Sequence, residues 1–127
     1  MIVVDTSALM AIVLGEPESD ACIAALEAEG DVLISAGTLA EALIVSGRRD
    51  VADQVDKLVT GLALTVAPVT ESMARQVSDA YAAWGKGVHP AGLNLGDCFA
   101  YALAKASDCP LLFIGDDFAR TDLKAVL

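Results

Sequence analysis

Met1-Ile-Val-Val-Asp5-Thr-Ser-Ala-Leu-Met10 opens the chain, and its reading governs the rest. Ile2, Val3 and Val4 form a short β-branched run, the composition of a strand buried on both faces. Asp5 ends that run. Thr6 or Ser7 then supplies a cap for a helix that Ala8 to Leu14 continue. Asp5 is thereby placed at the carboxyl end of a strand, the edge of an open parallel sheet where ligands bind. A carboxylate there is expensive to desolvate unless a cation or hydrogen bonds accompany it. Helix capping alone also accounts for an Asp at this position.

Outward from this stretch, strand and helix patterns alternate. Gly15-Glu16-Pro17 breaks the first helix, and Ala21 to Leu26 suit a second that Gly30 closes. Asp31-Val-Leu-Ile-Ser35 reads as a second strand. Gly37-Thr38 opens a third helix, which Gly47-Arg48-Arg49 ends with cations where the dipole favours them. Val51, Val55, Leu58, Val59 and Leu62 recur at helical spacing. Leu64-Thr-Val66 is a third strand, stopped by Pro68. Thr70 caps a helix whose stripe of Met73, Val77, Ala80, Tyr81 and Trp84 is core packing. A glycine-bearing loop from Gly85 to Leu95 leads to a helix over Gly96 to Lys105. Leu111 to Ile114 is a fourth strand, and Gly115-Asp116-Asp117-Phe118 turns away from it. The alternation predicts an α/β fold: a three-layer α/β/α sandwich around a parallel sheet of four to five strands.

The 127 residues suit one domain, 1–127, and 55% hydrophobic residues suffice for a full core. The net charge of −10 argues against a broad basic surface for non-specific nucleic-acid binding. It leaves room for a nucleic-acid enzyme whose acidic site holds cations. Cys22, Cys98 and Cys109 are odd in number and form no C-x-x-C pair, the pattern of reduced thiols in a cytoplasmic protein. The apolar start meets Asp5 too soon for a secretory leader, and no apolar run reaches the roughly 20 residues of a membrane span.

Four carboxylate positions then stand out: Asp5, Glu41, Asp97 and Asp116, the last with Asp117 as its neighbour. Each has a plain structural explanation. Glu41 in Thr38-Leu-Ala-Glu41 matches a capping box. Asp97 in Asn94-Leu-Gly-Asp97 is favoured by the helix dipole. Asp116 and Asp117 are ordinary turn residues. Their joint placement weakens these explanations, because strand ends and helix starts share one edge of a parallel α/β domain. Converging carboxylates repel and raise one another's pKa. Few lysines or arginines accompany these motifs, whereas a hard divalent cation removes the conflict, and carboxylate oxygens suit Mg²⁺ or Mn²⁺.

On these stretches the chain resembles the PIN-domain ribonucleases of the VapC type, toxins of bacterial toxin–antitoxin pairs. The matching segments are Val4-Asp5-Thr6-Ser7-Ala8-Leu9, Ala40-Glu41, Leu95-Gly96-Asp97-Cys98-Phe99-Ala100-Tyr101-Ala102-Leu103-Ala104, and Leu112-Phe113-Ile114-Gly115-Asp116-Asp117-Phe118 with Thr121-Asp122. They occur in the family's order along the whole chain. The resemblance implies a PIN-like fold and Mg²⁺- or Mn²⁺-dependent hydrolysis of RNA, leaving a 5′-phosphate and a 3′-hydroxyl. Carried over by position, Asp5 and Asp97 are the principal metal ligands, Glu41 completes the pocket and Asp116 is the fourth acid, with Asp117 the alternative. Ser7, or Thr6, bonds the Asp5 carboxylate or a metal-bound water. The resemblance also implies a cognate VapB-like antitoxin, a homodimer, and an RNA substrate among transfer, ribosomal and messenger RNA, with transfer RNA mildly preferred.

With one histidine, no Ser-His-Asp or Cys-His arrangement supplies a nucleophilic side chain. Candidates for phosphate contact are Lys86 and Arg48, then Arg49, His89, Lys105 and Arg120; Lys86 belongs to the Gly85–Gly92 loop, read as mobile and substrate-facing. The rival class is a non-catalytic acidic α/β module that binds a metal or a basic partner. Its receiver-domain form wants paired acids after the first strand and a lysine near the last, and Gly115-Asp116-Asp117 stands in the lysine's place. A haloacid-dehalogenase-like phosphatase wants a second Asp where Ser7 stands.

Overall fold

β1 (Ile2–Val4) is the pivot of the molecule. The computed structural model describes residues 1–127 and places β1 between β2 (Val32–Ser35) and β4 (Leu111–Leu112), with β3 (Thr65–Ala67) at the far edge. The order is β3-β2-β1-β4, and every pair is parallel. Four strands form the sheet; the C-terminal segment adds only a single bridge, Ala125 to Leu111. All three residues of β1 are buried, as its β-branched composition requires.

Alternation along β1 and β4 divides the core in two. Val3 and Leu111 face one side, with Val77 and Ala80 of α5 (Glu71–Trp84) and Ala100, Leu103 and Ala104 of α6 (Leu95–Ser107). Ile2, Val4 and Leu112 face the other. There they meet α1 (Thr6–Val13), α2 (Ser19–Glu27), α3 (Ala36–Arg48) and α4 (Ala52–Gly61). The result is the three-layer sandwich that the alternation predicts. The α4 pattern also holds, with Val55 fully buried in this core and Val51, Leu58, Val59 and Leu62 packed against the same cluster.

Local chemistry moves two boundaries and leaves one apolar stripe partly exposed. α3 starts at Ala36 because Ser35, in extended conformation, accepts a hydrogen bond from the Gly37 N–H at 3.2 Å. Glu41 therefore lies in the second turn, and the capping box expected over Thr38–Glu41 does not form. β4 is two residues long, so the backbone leaves the sheet before Phe113. Tyr81 is 40% exposed, so the apolar stripe of α5 buries Val77 and Ala80 but not its whole length.

The Gly85–Gly92 loop is tied down by its own backbone. Lys86 N–H donates to Leu93 O at 2.9 Å, and Leu93 N–H donates to Trp84 O at 3.0 Å. His89 Nδ1 accepts from Ala91 N–H at 3.0 Å, and Arg120 holds Pro90 O at 3.1 Å. These bonds give the loop a defined backbone path. The three cysteines are unpaired, and no helix is long and apolar enough to cross a membrane.

Candidate active site

Asp5 follows the last residue of β1 and is fixed from both sides. Its N–H donates to Leu112 O of β4 at 3.0 Å, and its side chain caps α1. Ser7 supplies both cap bonds: its N–H reaches Asp5 Oδ2 at 3.0 Å and its hydroxyl reaches the same oxygen at 2.7 Å. Ser7 Oγ also accepts from Ile114 N–H at 3.0 Å, which ties the turn after β4 to Asp5. All this satisfies one carboxyl oxygen. Oδ1 is buried and has no partner in the protein, although Asp5 is only 3% exposed. Burial pushes the carboxyl up to about 6, against the Ser7 hydrogen bonds, and the Glu41 charge adds to the rise.

Asp97 is in the first turn of α6. Its backbone N–H donates to Asn94 Oδ1 at 2.8 Å, and its Oδ2 accepts from Asn94 N–H at 3.1 Å, a complete capping box. Its other oxygen has no hydrogen-bond partner. The carboxyl is also pushed up to about 6, first by burial and then by the charges of Asp5, Glu41 and Asp117. Thus the cap role of Asp97 is real and occupies only half of its carboxylate. Glu41 reaches into the same neighbourhood from α3, and its Oε1 accepts from the Thr6 hydroxyl at 2.8 Å. The Thr6 hydroxyl therefore serves Glu41, while the Ser7 hydroxyl bonds Asp5.

Asp116 and Asp117 are both exposed on the turn after β4. Asp117 is the one whose charge acts on Asp97. The sequence reading put Asp116 first with Asp117 as the alternative; the charge that reaches Asp97 from this turn is that of Asp117.

The model family that matches residues 2–124 is the PIN domain. The chain is 41% identical over 126 residues to ribonuclease VapC42 of Mycobacterium tuberculosis, covering 96% of each chain. It is 41% identical over 127 residues to ribonuclease VapC30 of the same organism, covering 98% of this chain and 97% of the other. The chain belongs to the PIN-domain family of VapC ribonucleases. Solved structures agree on the fold. VapC20 of M. tuberculosis, described as a sarcin–ricin loop cleaving toxin, superposes with a TM-score of 0.81 at 17% identity over 99% of this chain and 98% of that one. A toxin–antitoxin complex from Klebsiella pneumoniae gives a TM-score of 0.72 at 18% identity over 96% and 93%.

The site's donor set fits a hard cation. Every candidate donor is a carboxylate oxygen, and the buried, unpartnered Asp5 Oδ1 wants a positive partner that the chain itself does not offer. No three His, Cys, Asp or Glu side chains already stand at metal-ligand spacing.

The candidate cations separate by position. Arg48 lines a groove of about 350 Å³ between α3 and α6 that also contains Glu41, Gly96 and Phe99. Lys86 lines a larger groove of about 830 Å³ with Val69, Tyr81, Asn94, Leu95 and Phe99. That larger groove is mostly apolar and holds none of the acids. Lys105 is taken by Asp122 at 2.9 Å, and His89 packs edge-on against Trp84 with ring centroids 4.6 Å apart. Arg48 and Lys86 are thus the cations beside the α6 start that carries Asp97.

Proposed function

We propose that this protein is the endoribonuclease toxin of a toxin–antitoxin pair and hydrolyses RNA phosphodiester bonds with Mg²⁺ or Mn²⁺ held by its carboxylates. The observation that carries the reading is Asp5: a nearly inaccessible carboxylate, one oxygen fixed by Ser7 and the other unpaired, beside Asp97 and Glu41. Asp5 Oδ1 and the Asp97 oxygen not used by Asn94 hold the cation, with Asp117 contributing from the β4 turn in preference to Asp116. When bound, the cation lowers the pKa of water and offsets charge that develops at phosphorus.

The protein's own groups do the rest. Ser7 keeps Asp5 in one rotamer. Glu41, anchored through Oε1, leaves Oε2 to complete the cation's pocket through a water molecule and to accept that water's proton. Arg48 and Lys86 contact phosphates on either side of the scissile bond. The partner is a VapB-like antitoxin. Support comes from the fold neighbours solved as complexes, including VapBC2 of Rickettsia felis bound to promoter DNA, and from a net charge of −10 that suits a basic inhibitor. A homodimer in the cytoplasm belongs to the same reading. The exposed apolar side chains Ile44, Tyr81 and Leu95 support it, and sedimentation of the purified protein tests it.

Cleavage of total RNA by purified protein tests the activity, with Mg²⁺, Mn²⁺ or EDTA and beside Asp5→Ala and Asp97→Ala. The expected result is metal-dependent cleavage lost in both folded variants. Cleavage that persists in EDTA and in both variants would overturn the reading.

A further inference from the structure

α3 and α6 approach each other closely enough that a glycine on each helix meets a large side chain of the other. A methyl group at Gly37 would overlap the ring of Phe99, and a methyl group at Gly96 would overlap the Glu41 carboxylate. The second contact concerns the site. Gly96 directly precedes Asp97 in the first turn of α6, so the space left by its missing Cβ is where the Glu41 carboxylate lies. On its other side Glu41 is held by Thr6, which is 7% exposed and donates its hydroxyl to Oε1. The same hydroxyl lies 3.4 Å from Thr38 O, on the turn of α3 that precedes Glu41.

We propose that Thr6 and Gly96 are positioning residues for Glu41: the hydroxyl fixes one oxygen, and the absent Cβ admits the carboxylate beside Asp97. This rests on the reading of the site as a cation-dependent nuclease centre. Glycine in a helix is otherwise unfavourable, since alanine loses less conformational freedom on folding. A glycine kept in α6 at the one place where Cβ would meet a carboxylate is explained by that carboxylate. The colliding atoms are the far end of a flexible side chain. A methyl group at position 96 therefore displaces Glu41 and leaves the helix crossing intact.

The consequence is unusual for a change beside an active site. Gly96→Ala is expected to keep or raise the thermal midpoint of the metal-free protein while weakening Mn²⁺ affinity and RNA cleavage by about 10- to 100-fold, the range typical of residues that orient a metal site. Thr6→Val is expected to weaken both by a similar factor, and Thr6→Ser to restore them, because serine keeps the donor. The double variant is expected to be no worse than Glu41→Gln, since both changes act through one side chain.

The experiment is Mn²⁺ titration by calorimetry, with thermal unfolding and single-turnover cleavage, on wild type, Gly96→Ala, Thr6→Val, Thr6→Ser, the double variant, Glu41→Gln and Asp5→Asn. Wild-type Mn²⁺ affinity in Gly96→Ala overturns the proposal. So does a lowered thermal midpoint in that variant, which would assign Gly96 to helix packing alone. Additive losses in the double variant beyond those of Glu41→Gln also overturn it. Mn²⁺ binding that survives Asp5→Asn would instead overturn the metal reading of the site.

Discussion

Asp5 and Asp122 are the same residue type in opposite circumstances. Asp122 has a partner for each oxygen: Tyr101 donates to Oδ1 at 2.6 Å and Lys105 to Oδ2 at 2.9 Å. Its carboxyl is held below the usual range, chiefly by the Tyr101 hydrogen bond and then by Lys105. Tyr101 in turn accepts from Trp84 Nε1 at 2.9 Å, and burial pushes its hydroxyl up to about 12. This network joins α5, α6 and the C-terminal segment, and every member is satisfied from within the chain. Asp5 is far more deeply buried, has one oxygen without a partner, and is raised to about 6. One carboxylate serves as a structural tie. The other keeps an unsatisfied acceptor at a strand end, and what would satisfy it is a cation from outside the chain.

The sharpest way to break the comparison is to remove the charge at each position. Asp5→Asn is expected to abolish Mg²⁺-dependent RNA cleavage, by more than the about 10–100-fold loss that follows removal of a supporting residue. The same change is expected to raise the unfolding free energy of the metal-free protein, because a buried charge disappears. Activity assays beside denaturant unfolding read both effects. Ser7→Ala comes next: it removes the hydroxyl bond to Asp5 Oδ2, leaving only the backbone N–H on that oxygen, and is expected to reduce cleavage and Mn²⁺ affinity about 10–100-fold. It also frees the Ile114 N–H, at about 1–3 kcal/mol of stability.

The pH dependence sharpens the contrast further. The folded-state pKa of Asp5, about 6, exceeds its ordinary 3.8, so the folded protein holds this proton more tightly than the unfolded chain. The metal-free protein therefore loses stability as pH rises from about 4 to about 6, by up to about 3 kcal/mol from this group. The stability gap between Asp5→Asn and wild type should widen over that window, as read by urea unfolding at pH 4, 5, 6 and 7. Mn²⁺ affinity should rise with pH across the same window, since the cation displaces the proton. Asp122 has the opposite sign: its contribution is present above the ordinary carboxyl range and is lost as pH falls through its lowered pKa. The smallest effect belongs to Asp122→Asn. Lys105 and Asp122 are each 48% exposed, so the change is expected to cost about 1 kcal/mol or less and to leave cleavage per folded molecule unchanged.

These two aspartates also mark what was legible in the sequence. The opening strand, the capped helix after it and the alternating pattern were enough for the fold class, because β-branched runs and caps are local signals, whereas the strand order β3-β2-β1-β4 depends on pairings between distant segments. Asp5 and Asp97 were visible as acids at a strand end and a helix start. The Glu41 environment was not, for two reasons. Ser35 starts α3 earlier than Gly37-Thr38 suggested, and the Thr6–Glu41 bond spans distant positions that no local pattern connects. The choice between Asp116 and Asp117 depends on where the backbone leaves β4, and that strand is shorter than its apolar run. Gly96 carried a readable signal, a glycine inside a helix start, but its meaning needs the neighbouring helix. In the Gly85–Gly92 loop, carbonyl and imidazole acceptors take up backbone N–H groups, contacts that its glycines do not announce.

The most direct test of the central claim is calorimetric titration of Mn²⁺ into the purified metal-free protein and into Asp5→Asn at neutral pH. Saturable binding by the wild type, with a raised thermal midpoint, and no binding by folded Asp5→Asn is the predicted result. Equal binding by the two proteins, or none by either, would contradict the assignment of Asp5 as the oxygen ligand around which the site is built.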